Sequence, residues 1–212
     1  MNKIKIGAFL PSAGDFPAKY GIPYMAKTLE ELGFTSLWVS DHILMPKNIK
    51  ADYPFAKDKK ATWDTKTPWY DALIVLALAA SVTKKVKLGT AVLVLPLRHP
   101  VIFAKQVASI DEQSKGRLIL GIGAGWLSDE FEALNVDFKK RGKIIEEWIQ
   151  ISRNCWSGEP KDFSGDHYNL PNGFFALPRP YNGDIPFLVG GHSKYALKRA
   201  ATLGNGWLPQ QS

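Results

Sequence analysis

The amino-acid sequence predicts an α/β protein built on a parallel sheet, in a single domain over residues 1–212. Three observations predict it. Short apolar runs of strand character alternate with helical stripes along the chain. Glycine or proline stands at many of the junctions. The third strand-like run, Val86 to Leu95, is apolar almost throughout, as a strand covered on both faces must be. Alternation at this spacing requires right-handed crossovers. Periodicity alone does not separate an open doubly wound sheet from a closed barrel.

The first strand is Ile4–Leu10. Met25, Leu29 and Leu32 then fall at i, i+4 and i+7, one stripe of a helix, and Gly33 is its stop. Ser36–Val39 is the second strand, with Asp41 and His42 at its end. From Ile43 to Pro68 the pattern breaks into a Lys/Pro/Asp-rich stretch, long enough to be read either as a functional lid or as disordered. A helix over about 70–81 leads to the third strand. Pro100 opens a third helix that ends near Ser114. Arg117–Gly123 is the fourth strand, followed by a short helical piece at 130–134 and a long helix at 140–156. A small hairpin is expected at 163–168. Ile185–Val189 is the fifth strand, 194–203 its helix, and Gly206–Leu208 opens a sixth.

Lysine plus arginine number 27 against 20 aspartate plus glutamate, a net charge of +7. The lysines are scattered, without an arginine-rich helix, so a solvated surface is read in preference to a nucleic-acid face. No apolar run approaches the roughly 20 residues needed to cross a bilayer. The start moves straight into a strand without a cleavable leader pattern. The single cysteine, Cys155, is read as core, and a reducing cytoplasm is expected.

His42 sits at the C-terminal end of a strand, where sheet enzymes build their sites. An imidazole there can take or give a proton, with Asp41 orienting it or binding a ligand hydroxyl. The alternative is a histidine hydrogen-bonded at a loop start. Gly121, Gly123 and Gly125 admit either a ligand or a closely packed neighbour. Gly190-Gly191-His192-Ser193, between strand and helix, reads as a phosphate cradle or as an ordinary N-cap at Ser193. Arg98 and His99 are candidate contacts for an anionic substrate, although His99 could simply cap the third helix. No histidine has metal-ligand companions at suitable spacing, so no metal site is expected.

Together these segments are more specific than any one alone. The run Leu88 to Pro100, then Ala104-Lys105-Gln106, Asp111, Ser114–Arg117 and Gly121–Trp126, resembles the central signature of luciferase-like monooxygenases. Trp38–His42 resembles that family's second strand. Gly190–Ser193, Arg199-Ala200-Ala201 and Gly206-Trp207 resemble its phosphate-binding segment. The F420-dependent oxidoreductases are the branch most similar in flavour.

The resemblance implies a TIM (β/α)8-type barrel, present as about six βα units with the last two absent, which six strands cannot close. It implies coenzyme F420 as first choice, or FMN, at the C-terminal mouth. His42 matches the family's active-site histidine and Asp41 a cofactor-contacting carboxylate. Ala91 and Val92 match a non-proline cis peptide behind the cofactor ring. Gly190, Gly191, His192 and Ser193 would hold the phosphate, and Arg98, His99 and Trp126 would face substrate. Relatives that oxidise sugar phosphates carry a carboxylate at the place of Trp126. The expected activity is oxidoreduction of a small organic substrate, by hydride transfer or oxygen activation, in a homodimer formed through helices two and three with Leu73, Leu76 and Ala104. The alternatives are a flavin-binding protein without turnover, an inactive fragment, or a phosphate-binding lyase or isomerase barrel.

Overall fold

The structure is a computed structural model and describes residues 4–209. Its strands are β1 (Gly7–Phe9), β2 (Ser36–Val39), β3 (Lys87–Thr90), β4 (Leu93–Val94), β5 (Leu118–Gly123), β6 (Phe163–Ser164), β7 (Asn169–Leu170), β8 (Phe187–Gly190) and β9 (Gly206–Leu208). Its helices are α1 (Phe16–Tyr20), α2 (Ile22–Glu31), α3 (Ala72–Val82), α4 (Pro100–Ser114), α5 (Ser128–Ala133), α6 (Arg141–Trp156) and α7 (Lys194–Thr202). The parallel sheet runs β1-β2-β3-β5-β8-β9, with β4 paired to β5 beyond the end of β3. It is a curled half-barrel of six strand positions, as expected from the resemblance. The sixteen-residue α6 and fifteen-residue α4 pack on its convex side.

Side chains alternate across each strand. Leu37, Val39, Leu88, Leu120, Ile122, Phe187 and Val189 point under the helices and are buried. Trp156 of α6 stacks on Phe187, with ring centroids 5.4 Å apart and planes 17° off parallel. The concave face is built differently. Trp38 lies flat between Gly7 and Gly89, and a methyl at Gly89 would fall 2.4 Å from its ring. Only glycine on both neighbouring strands leaves room for that indole.

The expected third strand, 86–95, is broken. β3 ends at Thr90, a cis peptide joins Ala91 to Val92, and β4 passes directly into a 3-10 turn at Leu95–Leu97. The reason is visible on β5. Methyls at Gly121, Gly123 and Gly125 would strike the Thr90 carbonyl, a Val92 methyl and a Val94 methyl in turn. Three alternate glycines therefore receive the displaced segment 90–94. The close approach that they allow is filled by chain, and the Thr90 hydroxyl locks it by donating to the Gly121 carbonyl at 2.7 Å.

Residues 43–68 form no helix or strand. Their far end is pinned to the loop after β1 by an Ala13–Trp69 bridge and by Tyr70 N–H donating to the Ser12 carbonyl. The expected hairpin is β6–β7, antiparallel, and Glu147 of α6 accepts the Asp166 and His167 N–H groups. Leu73, Leu76 and Ala104 are buried in this chain's own core, so they cannot face a second copy. On the same two helices the exposed apolar side chains are Ile74, Leu78 and Ile102.

Candidate active site

β2 delivers two buried polar side chains to the mouth of the half-barrel, Asp41 and His42. A buried carboxylate must be paired. Asp41 accepts from the Val94 N–H at 2.9 Å and from both terminal nitrogens of Arg98 at 2.7 Å. Arg98 also reaches Asp71, the N-cap of α3, at 3.1 Å. Burial alone would lower the Arg98 guanidinium, but the two carboxylates outweigh it and hold it above its ordinary value. Sequence reasoning placed Arg98 against an anionic substrate; the structure turns it onto Asp41 and Asp71 instead. The pair fastens the turn after β4 to the end of β2.

His42 packs among rings. Trp69 lies 4.7 Å away, Trp63 5.9 Å and Trp126 6.1 Å, centroid to centroid. Tyr53 bridges Trp63 and Trp126, each at 5.1 Å. Tyr53 and Trp63 belong to the stretch 43–68 and Trp69 follows it directly, so this stretch roofs the histidine with aromatic surface. The indole N–H groups of Trp63 and Trp69 are buried without an acceptor. Nδ1 of His42 lies 2.9 Å from Oε2 of Glu130 on α5, a partner 88 residues away that sequence reasoning missed. The only signal was an acidic first turn on the short helix, which says nothing about His42.

The diglycine turn Gly190-Gly191 stands at the end of β8. A methyl at Gly190 would lie 2.8 Å from Val92, so Val92 sits between Gly123 and Gly190 and joins the cis peptide to this turn. Gly191 has φ +108°, which favours glycine. Ser193 caps α7, its hydroxyl accepting from the Ala196 N–H at 3.2 Å. His192 rests on Trp207, whose N–H donates to the Gly191 carbonyl. His99 stands elsewhere: it is exposed and lies edge-on to Tyr168 of the hairpin, 5.2 Å away, without capping α4 through its side chain. Cys155 is buried, and burial pushes its thiol up, which suits core and not nucleophile. Among the described residues no cluster of three or more potential ligands could hold a metal.

Residues 7–212 match the model of the luciferase-like monooxygenase family. The chain belongs to that family. It is 29% identical to an F420-dependent glucose-6-phosphate dehydrogenase of Amycolatopsis mediterranei over 209 residues, 97% of this chain and 57% of that protein. Two solved structures share the fold of this luciferase-like chain. One is an F420-dependent secondary alcohol dehydrogenase with an F420–acetone adduct (TM-score 0.76, 24% identity, 98% of this chain and 58% of that one). The other is the oxygenating constituent of 3,6-diketocamphane monooxygenase from Pseudomonas putida with FMN (TM-score 0.69, 20% identity, 89% and 52%). The chain spans about three fifths of the length of the curated relatives it matches.

Proposed function

We propose that this luciferase-like chain carries the cofactor and proton-transfer half of an F420-dependent oxidoreductase, with FMN as the second choice of cofactor. The observation that carries the reading is the buried placement of His42 at the C-terminal end of β2, under an aromatic roof. The residues fit a ring cofactor with a phosphate tail. The backbone around Gly190 and Gly191, with Ser193 at the start of α7, offers N–H groups to an anion. Ala91 and Val92 would stand behind the ring, in continuity with the cradle through Val92. When bound, such a cofactor supplies hydride transfer or oxygen activation. His42 takes or returns a proton on the substrate oxygen. Tyr53, Trp63, Trp69 and Trp126 exclude water from it.

The same roof favours a small, uncharged organic substrate. Arg98 is neutralised by Asp41 and Asp71, and Glu130 adds a carboxylate beside His42. Trp126 stands edge-on beside His42, and an indole there offers a sugar phosphate no charged partner. Among the described residues no helix is long and apolar enough to cross a membrane. A cytoplasmic homodimer joined through exposed Ile74, Leu78 and Ile102 completes the reading.

Titration of the purified chain with F420 and with FMN, followed by absorbance and fluorescence, tests the assignment. Saturable binding of one ring is expected. Binding of phosphate ion alone, with neither ring bound, would move the chain to the phosphate-binding lyases or isomerases. Binding of a ring without turnover of alcohols, aldehydes, or reduced flavin plus oxygen would leave a carrier.

A further inference from the structure

Glu130 is buried, 1% exposed, and its two oxygens face different partners. Oε1 accepts from the backbone N–H of Ile43 at 2.8 Å and of Leu44 at 3.3 Å. Oε2 faces Nδ1 of His42. Backbone N–H groups only donate, and an ionised carboxylate only accepts. Nδ1 must therefore carry a hydrogen in the neutral ring as well as the charged one. The basic nitrogen of neutral His42 is then Nε2, which has no hydrogen-bond partner among the described residues.

We propose that Glu130 is the positioning residue that holds His42 as its Nδ1–H tautomer, leaving Nε2 as the atom that exchanges a proton with substrate. The use of that proton rests on the oxidoreductase reading above; the tautomer does not. Ile43 and Leu44 are the first residues of the lid, so one carboxylate sets both the orientation of the imidazole and the root of its roof. Asp41, adjacent in sequence, is fully engaged by Arg98 and Val94 and does not contribute to the tautomer.

The glutamine variant makes a sharp test. An amide has one accepting oxygen where Glu130 has two. The Ile43 and Leu44 N–H groups cannot reverse their polarity, whereas the imidazole can move its proton. In Glu130→Gln the oxygen stays on the lid root, the NH2 group donates to Nδ1, and the ring switches to the Nε2–H form. Long-range proton–nitrogen correlation spectra of 15N-labelled protein read both ring nitrogens directly, with His42 assigned by its absence in His42→Gln. In the neutral ring the wild type should show a protonated Nδ1 and a bare Nε2; Glu130→Gln should exchange the two. A wild-type Nε2–H form, or a folded glutamine variant with the tautomer unchanged, overturns the proposal. The wild-type spectrum decides by itself if the variant does not fold. Cofactor titration fails or succeeds independently, so loss of F420 and FMN binding with the Nδ1–H tautomer present would sink only the cofactor reading.

Discussion

The two ends of the half-barrel use the same pair of residue types to opposite purposes. At the base, Glu30 accepts from the N–H groups of Lys84, Lys85 and Val86, and Arg117 donates to the Thr83 hydroxyl and to the carbonyls of Ala80, Thr83, Val86 and Ser114. Every partner but one is backbone and fixed in polarity; the exception, the Thr83 hydroxyl, passes its own hydrogen to the Ala79 carbonyl. At the mouth, Glu130 gives one oxygen to backbone and the other to an imidazole, while Arg98 binds two carboxylates. The base closes turns. At the mouth the pairing joins a carboxylate to an imidazole, a ring that can donate or accept through either nitrogen. A groove of about 890 Å³ also opens at the base, between the ends of α3 and α4, lined by Ser81, Lys84, Gln113 and Lys115.

The largest effect is expected from breaking the base. Arg117→Met should remove five donors from buried acceptors and cost about 3–5 kcal/mol, since each abandoned buried group carries its own desolvation penalty. Denaturant unfolding measures it. A loss under about 1 kcal/mol would show that water replaces the guanidinium and that the base is not the dry hub its geometry describes.

At the mouth the loss should fall on rate. His42→Ala in a complete, cofactor-loaded enzyme should lower turnover by about 10²–10⁴, the usual range for a lost general acid or base. Cofactor affinity should stay within about twofold, while stability should fall by about 1–3 kcal/mol because the buried Oε2 of Glu130 loses its donor. Steady-state kinetics beside a cofactor titration separate the two. Unchanged turnover would remove His42 from the mechanism and leave the mouth as structural as the base.

The contrast also explains what the sequence could disclose. α4 begins at Pro100 because proline has no N–H to lose there, and α2 is followed by Gly33 at φ +91°; such signals are local and were legible. The diglycine turn after β8 was legible for the same reason. The break in the third strand was not, because its cause is Gly121, Gly123 and Gly125 on the neighbouring strand; only resemblance pointed to residues 91 and 92. Arg98 read as a contact for an anionic substrate, since its partner Asp41 lies 57 positions earlier. Glu130 and the ring roof were hidden likewise, and irregular spacing in residues 43–69 gives no periodicity to read. Local chemistry placed the diglycine turn and His42, while the groups that surround His42 come from distant parts of the chain.

The smallest expected effect separates Glu30 from its counterpart at the mouth by pH. Burial would raise the Glu30 carboxyl, but the Val86, Lys85 and Lys84 N–H groups, helped by Arg117, outweigh it and hold it below its ordinary 4.5. A depressed carboxyl stabilises the fold above that ordinary value, and the contribution is lost as pH falls through the folded one. Asp111 works against it: burial raises that carboxyl beyond what the Leu118 and Tyr181 N–H groups and Lys87 can offset, so its contribution is present below 3.8 and lost as pH rises. The opposing slope cancels when wild type and Glu30→Gln are compared at each pH. The variant should be less stable by about 1 kcal/mol near neutrality, with the gap in melting temperature closing below about pH 4.5. Glu30→Gln has no imidazole to absorb the reversed amide, so unlike Glu130→Gln it must leave donor facing donor at the turn. A gap that persisted unchanged into acid would mean that the penalty is that steric and polar mismatch alone, and that charge on Glu30 does nothing for the base.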